Sequence, residues 1–165
     1  MEKTIILTHN EIEKKLDRIA WQVLEENVKE KEILIVGIAK SGYKVATQIA
    51  NTLVNIAQFD VKLCKIELNK KNPLLNDIIF SYDKNECIDK SIVIVDDVLN
   101  SGKTMMYAIN YFLDVNVKKI TSAVLVDRSH QSFPVKSNYI GLKLSTTLQE
   151  HVKVEFAKKN RAYLE

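Results

Sequence analysis

The sequence predicts an α/β domain, a central and mostly parallel β-sheet flanked by helices, on three observations. Short apolar runs recur at residues 33–37 (ILIVG), 92–95 (IVIV) and 120–126. Segments of helical periodicity separate them, and strands alternating with helices imply crossovers and parallel pairing. No internal repeat, low-complexity tract or linker interrupts the 165 residues, so residues 1–165 read as one domain.

Each element has its own local justification. Thr8 and Glu11 have capping-box spacing, and Ile12, Leu16, Ile19 and Val23 follow at helical intervals, predicting an amphipathic helix from about Glu11 into the upper twenties. The run at 33–37 is a buried strand ended by glycine; after Gly42, the positions Val45, Ile49, Ala50, Leu53 and Ala57 repeat with helical period. Residues 61–68 read as another strand. Residues 69–90 carry Pro73 and many polar side chains and predict a long loop. A loop of that length in a compact domain is more often functional than accidental, which marks it as a candidate lid. The strand at 92–95 leads through a turn to a helix marked by Met105, Ile109 and Phe112, and then to the strand at 120–126. Strands near 139–144 and 152–156 are expected to finish the sheet.

Composition excludes several classes. With 46% hydrophobic and 27% charged residues and a mean hydropathy of -0.11, the chain is neither disordered nor collagen-like. No apolar run approaches the ~18 residues of a spanning helix. The opening MEKTIILTHN lacks a secretory signal, so a cytoplasmic location is expected. The charge of +3 suits a polyanionic ligand without demanding one. Cys64 and Cys87 have neither metal-ligand spacing nor a disulfide pattern and are expected to stay reduced.

The chemistry concentrates in IVIVDDVLNSGKT, residues 92–104. In an open parallel sheet, ligands bind beyond the carboxyl ends of the strands, and a turn into a helix aims free N–H groups and a positive dipole end at an anion. Asn100, Ser101, Gly102, Lys103 and Thr104 therefore form a candidate phosphate cradle: glycine for close backbone approach, hydroxyl donors, and a lysine charge. Two adjacent carboxylates, Asp96 and Asp97, would repel a phosphate unless something between them and the ligand needs acceptors, such as a sugar diol or a cation. A ribose 5-phosphate meets both requirements. A Walker loop does not fit, because it requires glycine five positions before Gly102, where Asp97 stands. The bland alternative is an Asp-rich strand end followed by a helix cap.

This segment resembles the phosphoribosyl-pyrophosphate signature of type I phosphoribosyltransferases. The stretch at 125–156, LVDRSHQSFPVKSNYIGLKLSTTLQEHVKVEF, is similar to the bifunctional pyrimidine operon attenuator and uracil phosphoribosyltransferase family, whose pattern there is VDR-x-H-x-x-x-P-x-x-x-x-Y-x-G. ILIVGIAKSGYKVA fits as well, and the resemblance covers nearly the whole chain.

The resemblance implies the type I phosphoribosyltransferase fold with a small C-terminal hood. It also implies a magnesium-dependent transfer of ribose 5-phosphate from phosphoribosyl pyrophosphate to a nucleobase, best matched by uracil, and a homodimer. By the same resemblance, Asp96 and Asp97 hold the ribose hydroxyls, directly or through the metal's water shell, and the 100–104 turn binds the 5-phosphate. Lys40, Ser41 and Gly42 match the pyrophosphate turn. Tyr139 and Ile140 match the positions that stack on the base and read its edge, although Tyr139 equally suits sheet packing. Asp127 stands where purine-salvage relatives carry lysine, which tilts the reading toward a pyrimidine. Arg128 belongs either to the base site or to a structural ion pair.

Some residues depart from the family pattern. Ala39-Lys40-Ser41-Gly42 replaces K-T-R-G, and Glu67-Leu68-Asn69-Lys70-Lys71-Asn72 replaces T-L-Y-R-D-D, so both stretches lack an arginine. Lys70 and Lys71 read first as solvated loop lysines and second as point-charge substitutes. Gln131 and Phe133-Pro134 replace parts of the basic H-R-E-L-P pattern, and no run of Lys and Arg marks an RNA face. His130 reads as a hydrogen-bonding loop residue, and Trp21, Met105 and Met106 as core or interface packing. Two functions follow: an enzyme, or a sensor of phosphoribosyl pyrophosphate or nucleoside monophosphate that regulates RNA or another partner. The missing arginines favour the sensor; the 92–104 segment serves both.

Overall fold

The computed structural model describes residues 3–145, 147 and 150–165. Its elements in order are β1 (Thr4–Leu7), α1 (His9–Asn27), β2 (Glu32–Ile38), α2 (Ser41–Ile56), β3 (Asp60–Glu67), β4 (Ile79–Phe80), a 3-10 turn (Lys84–Cys87), β5 (Ser91–Leu99), α3 (Lys103–Phe112), β6 (Lys119–Asp127), β7 (Tyr139–Lys143), β8 (Val152–Glu155) and β9 (Arg161–Leu164).

The main sheet has the order β4-β3-β2-β5-β6-β7, parallel except for the short antiparallel β4. Its central strands are buried on both faces, as continuous apolar runs require. The alternation of side chains divides β2 cleanly. Ile33 and Ile35 face α1 and α2, whereas Leu34 and Val36 face α3 and join Met105, Ala108 and Phe112. On α1 the capping box forms as read from the sequence, and Ile12, Leu16, Ile19 and Val23 are all buried. Burial of such side chains is worth roughly 1.5–3 kcal/mol each. Trp21, expected in a core or an interface, is 50% exposed on α1. Both cysteines are free and buried.

The structure corrects two expectations. Strand β8 does not finish the main sheet. It pairs antiparallel with β9, and β9 pairs with β1, making a separate three-stranded hood from both ends of the chain. The main sheet ends at β7, where Arg18 of α1 donates to the carbonyls of Ile140 and Gly141 at 2.7 and 3.0 Å. The predicted loop at 69–90 is also partly ordered: β4 adds to β3, and Phe80 packs edge-to-face on Tyr111 and Phe112. Among the described residues, no helix is long and apolar enough to cross a membrane.

Candidate functional site

A cleft of about 520 Å³ opens beyond the carboxyl end of β5, between the start of α3 and the hood. Strand β5 runs four residues past the apolar core of its sequence, so Asp96 and Asp97 lie within the sheet, with Asp96 opposite Val124 of β6. Asp96 is only 4% exposed, and its Oδ1 accepts the Asp97 N–H at 2.9 Å. Lys70 reaches in from the loop, with Nζ 3.1 and 3.3 Å from the Asp96 oxygens and 3.9 Å from Asp97 Oδ1. Burial, reinforced by the Asp97 charge, drives the Asp96 carboxyl well above the ordinary carboxylate range, and Lys70 offsets only part of this.

The first turn of α2 lies directly against this pair. A Cβ on Gly42 would sit 2.8 Å from both Asp96 Cα and Asp96 Oδ1, so only glycine lets the turn approach so closely. Ser41 lines the cleft, Lys40 is exposed, and the Ala39-Lys40 peptide is cis.

Gly102, the N-cap of α3, is in a left-handed conformation at φ 82 and has no side chain to cap the helix. With Lys103 N engaged by Ser101 Oγ, the Thr104 and Met105 N–H groups remain at the cleft with the positive end of the helix dipole. Ser101 braces the turn twice: its Oγ accepts from Lys103 N at 3.3 Å, and its carbonyl accepts from Ser132 N at 2.8 Å and Phe133 N at 3.0 Å. Asn100, Ser101, Gly102, Lys103 and Thr104 all line the cleft alongside Asp96 and Asp97. One opening therefore offers acceptors at the carboxylates and donors at the helix start.

The four residues assigned to the base do not line this cleft. Tyr139 is 2% exposed, packed in the core on the α1 side, with its hydroxyl donating to Glu26 Oε2 at 2.6 Å. Strand alternation from its partner Ala123 turns it to that face, so the sheet-packing alternative describes it. The Ile140 carbonyl is occupied by Arg18. The Asp127 carboxylate accepts from Ser129 N and Gln131 Nε2, both at 2.8 Å. Arg128 donates to Asn100 Oδ1 and to the carbonyls of Thr147 and Glu150.

Other residues take the wall that sequence reasoning left empty. Val152, Lys153, Val154 and Glu155 of β8, with Tyr163 of β9, line the cleft opposite the turn. The alternation in VKVE signalled a half-exposed strand, but nothing local signalled the sheet it joins. Lys70 carries no local signal either, because a lysine in a polar loop looks the same whether solvated or folded over a buried carboxylate.

Comparison with known proteins finds a match to the phosphoribosyl transferase domain over residues 2–157. "Bifunctional protein PyrR" of Bacillus pumilus is 32% identical over 93% of this chain and 91% of its own length. "Bifunctional protein PyrR" of Alkaliphilus metalliredigens is 31% identical over 99% and 96%. Among solved structures, the hypoxanthine phosphoribosyltransferase of Trypanosoma cruzi superposes with a TM-score of 0.76 at 13% identity, over 90% of this chain and 84% of that one. A hypoxanthine-guanine phosphoribosyltransferase of Bacillus anthracis gives 0.70 at 18% identity, over 88% and 85%.

Proposed function

Since the chain belongs to the phosphoribosyl transferase domain family and has the type I fold, we propose that it transfers the ribose 5-phosphate of phosphoribosyl pyrophosphate to a free nucleobase, uracil, releasing pyrophosphate. One observation carries this reading: two carboxylates and a helix start behind a left-handed glycine share a single cleft. A ribose 5-phosphate needs acceptors for its hydroxyls and donors for its phosphate within one site.

In this reading the base nitrogen attacks the anomeric carbon as the carbon's bond to the pyrophosphate oxygen breaks, and the proton of the base N–H leaves to solvent or to the departing pyrophosphate. Positive charge develops on the ribose ring, and Asp96 and Asp97, holding the ribose hydroxyls, stabilise it electrostatically. The 100–104 turn anchors the 5-phosphate, and Lys40, Ser41 and Gly42 receive the pyrophosphate. The base lies against the hood wall, where Val152 and Val154 offer apolar contact.

Magnesium fits the carboxylate pair. Asp96 and Asp97 are hard oxygen donors, and the pair already accommodates a cation, the Lys70 ammonium. Among the described residues no group of three or more His, Cys, Asp and Glu converges on a metal position, so Asp96 and Asp97 would be the residues to hold the ion together with substrate and water oxygens. When bound, the ion neutralises charge on the departing pyrophosphate.

A second observation favours an added regulatory role. A groove of about 730 Å³, sharing no residue with the cleft, is lined by Lys158 and Lys159, with Arg161 held by Glu155 at 2.7 Å and His9 beside Glu13 at the start of α1. Such a basic surface suits a polyanion such as RNA. The test is pyrophosphate release from phosphoribosyl pyrophosphate and magnesium, with uracil, hypoxanthine, guanine, xanthine, adenine and orotate supplied singly against a no-base control. Turnover with uracil is expected. Absence of turnover with every base, while phosphoribosyl pyrophosphate still binds by calorimetry, replaces the enzyme with the sensor.

A further inference from the structure

We propose that Arg128 is a positioning residue for the 5-phosphate subsite: it locks the Asn100 amide with its NH2 group presented to the cleft and ties that turn to the hood. This rests on reading the 100–104 turn as a phosphate site. Arg128 follows the last residue of β6 and is 6% exposed. A guanidinium this deep must be matched by acceptors. It donates through Nη1 to Asn100 Oδ1 at 3.2 Å, and through Nη2 to the carbonyl oxygens of Thr147 at 3.2 Å and Glu150 at 2.6 Å.

The chemistry of the amide sets its orientation. A guanidinium has donors only, so an amide facing it must turn its oxygen inward, and the opposite flip would set NH2 against N–H. Asn100 lines the cleft and is exposed, so with its oxygen held by the guanidinium its NH2 group is left available to the cleft and solvent. The backbone holds the same arrangement: Arg128 N donates to Leu99 O at 3.1 Å, directly before Asn100.

The two carbonyls held by the guanidinium bracket the segment that leads into β8, whose residues form the cleft wall. Glu150 Oε2 also accepts from Thr147 N and Thr147 Oγ1, both at 2.9 Å, which ties the two carbonyl-bearing residues to each other. One planar head thus joins the phosphate turn to the hood wall. Lysine, a point charge without the fork, cannot bridge three acceptors in this way.

The test is calorimetric binding of ribose 5-phosphate to the wild type, Arg128→Gln, Arg128→Lys, Asn100→Ala, Asn100→Asp and the Arg128→Gln/Asn100→Ala double variant, with melting curves for each. Arg128→Gln and Arg128→Lys are each expected to weaken binding about tenfold, the scale of losing an orienting partner behind a binding group. In the Asn100→Ala background, Arg128→Gln should cost nothing further, a coupling that a merely structural arginine would not produce. Asn100→Asp keeps the acceptor for Arg128 but loses the NH2 donor, and should bind no better than Asn100→Ala even if the Arg128 variants fail to fold. Additive losses, or wild-type affinity in Asn100→Asp, overturn the assignment to Arg128 alone. Failure of wild-type protein to bind ribose 5-phosphate overturns the phosphate subsite and this inference with it.

Discussion

Replacing Gly102 with alanine separates two physical demands that meet at the start of α3. The first is conformational: φ of 82 places this residue in the left-handed region, where a side chain costs roughly 1–2 kcal/mol. The second is steric: an added Cβ would lie 2.5 Å from Val135 Cγ1, and Val135 is a buried member of the α3-side core. Forcing a methyl into such a contact costs about 1–3 kcal/mol. The two together predict that Gly102→Ala loses about 2–5 kcal/mol, measured by urea unfolding with unchanged m-value. Val135→Ala removes the atom in conflict. In that background the cost of Gly102→Ala should fall to about 1–2 kcal/mol, leaving only the conformational part. An equal cost in both backgrounds would refute the steric argument, and a cost near zero in both would refute the left-handed turn itself. Because the same turn presents the α3 amides, ribose 5-phosphate affinity should fall in Gly102→Ala and stay reduced in the double variant.

Asp96→Asn should stabilise the protein at alkaline pH while abolishing turnover. The folded-state carboxyl titrates above its unfolded value, so between those values the folded state holds a proton that the unfolded state has lost. Wild-type stability therefore declines as pH rises through that window, by up to about 1.4 kcal/mol per pH unit, and the decline should disappear in Asp96→Asn; parallel stability–pH curves for the two proteins would contradict it. Lys70→Met removes the ammonium beside both carboxylates, and magnesium titrated into the ligand-free protein should then bind several-fold more tightly, since it no longer displaces a resident cation. Unchanged or weaker magnesium binding by calorimetry would show that Lys70 does not compete for that position.

Much of the architecture follows from local sequence alone. The apolar runs at 33–37 and 92–95, the helical repeat from Ile12 to Val23 and the Thr8–Glu11 box encode strand, helix and cap within a few residues each. The same locality makes the Asp96–Thr104 segment legible: a strand end, a glycine turn and a helix start are contiguous, and their joint position at a sheet's carboxyl edge follows from parallel topology. Tertiary structure alone decided the rest, because those features depend on partners far apart in the chain. Thr4 pairs with Leu164 to build the hood, a contact between opposite ends that no periodicity encodes. Lys70 closes on Asp96 across an intervening loop and strand, and its burial partner cannot be inferred from its polar neighbours. Tyr139 turns away from the cleft because its register against Ala123 selects the face toward Glu26, and a shift of one residue would reverse it. Arg128 meets Asn100 and Glu150 only once β5, β6 and the hood have assembled, since these acceptors are fifty residues apart in the chain.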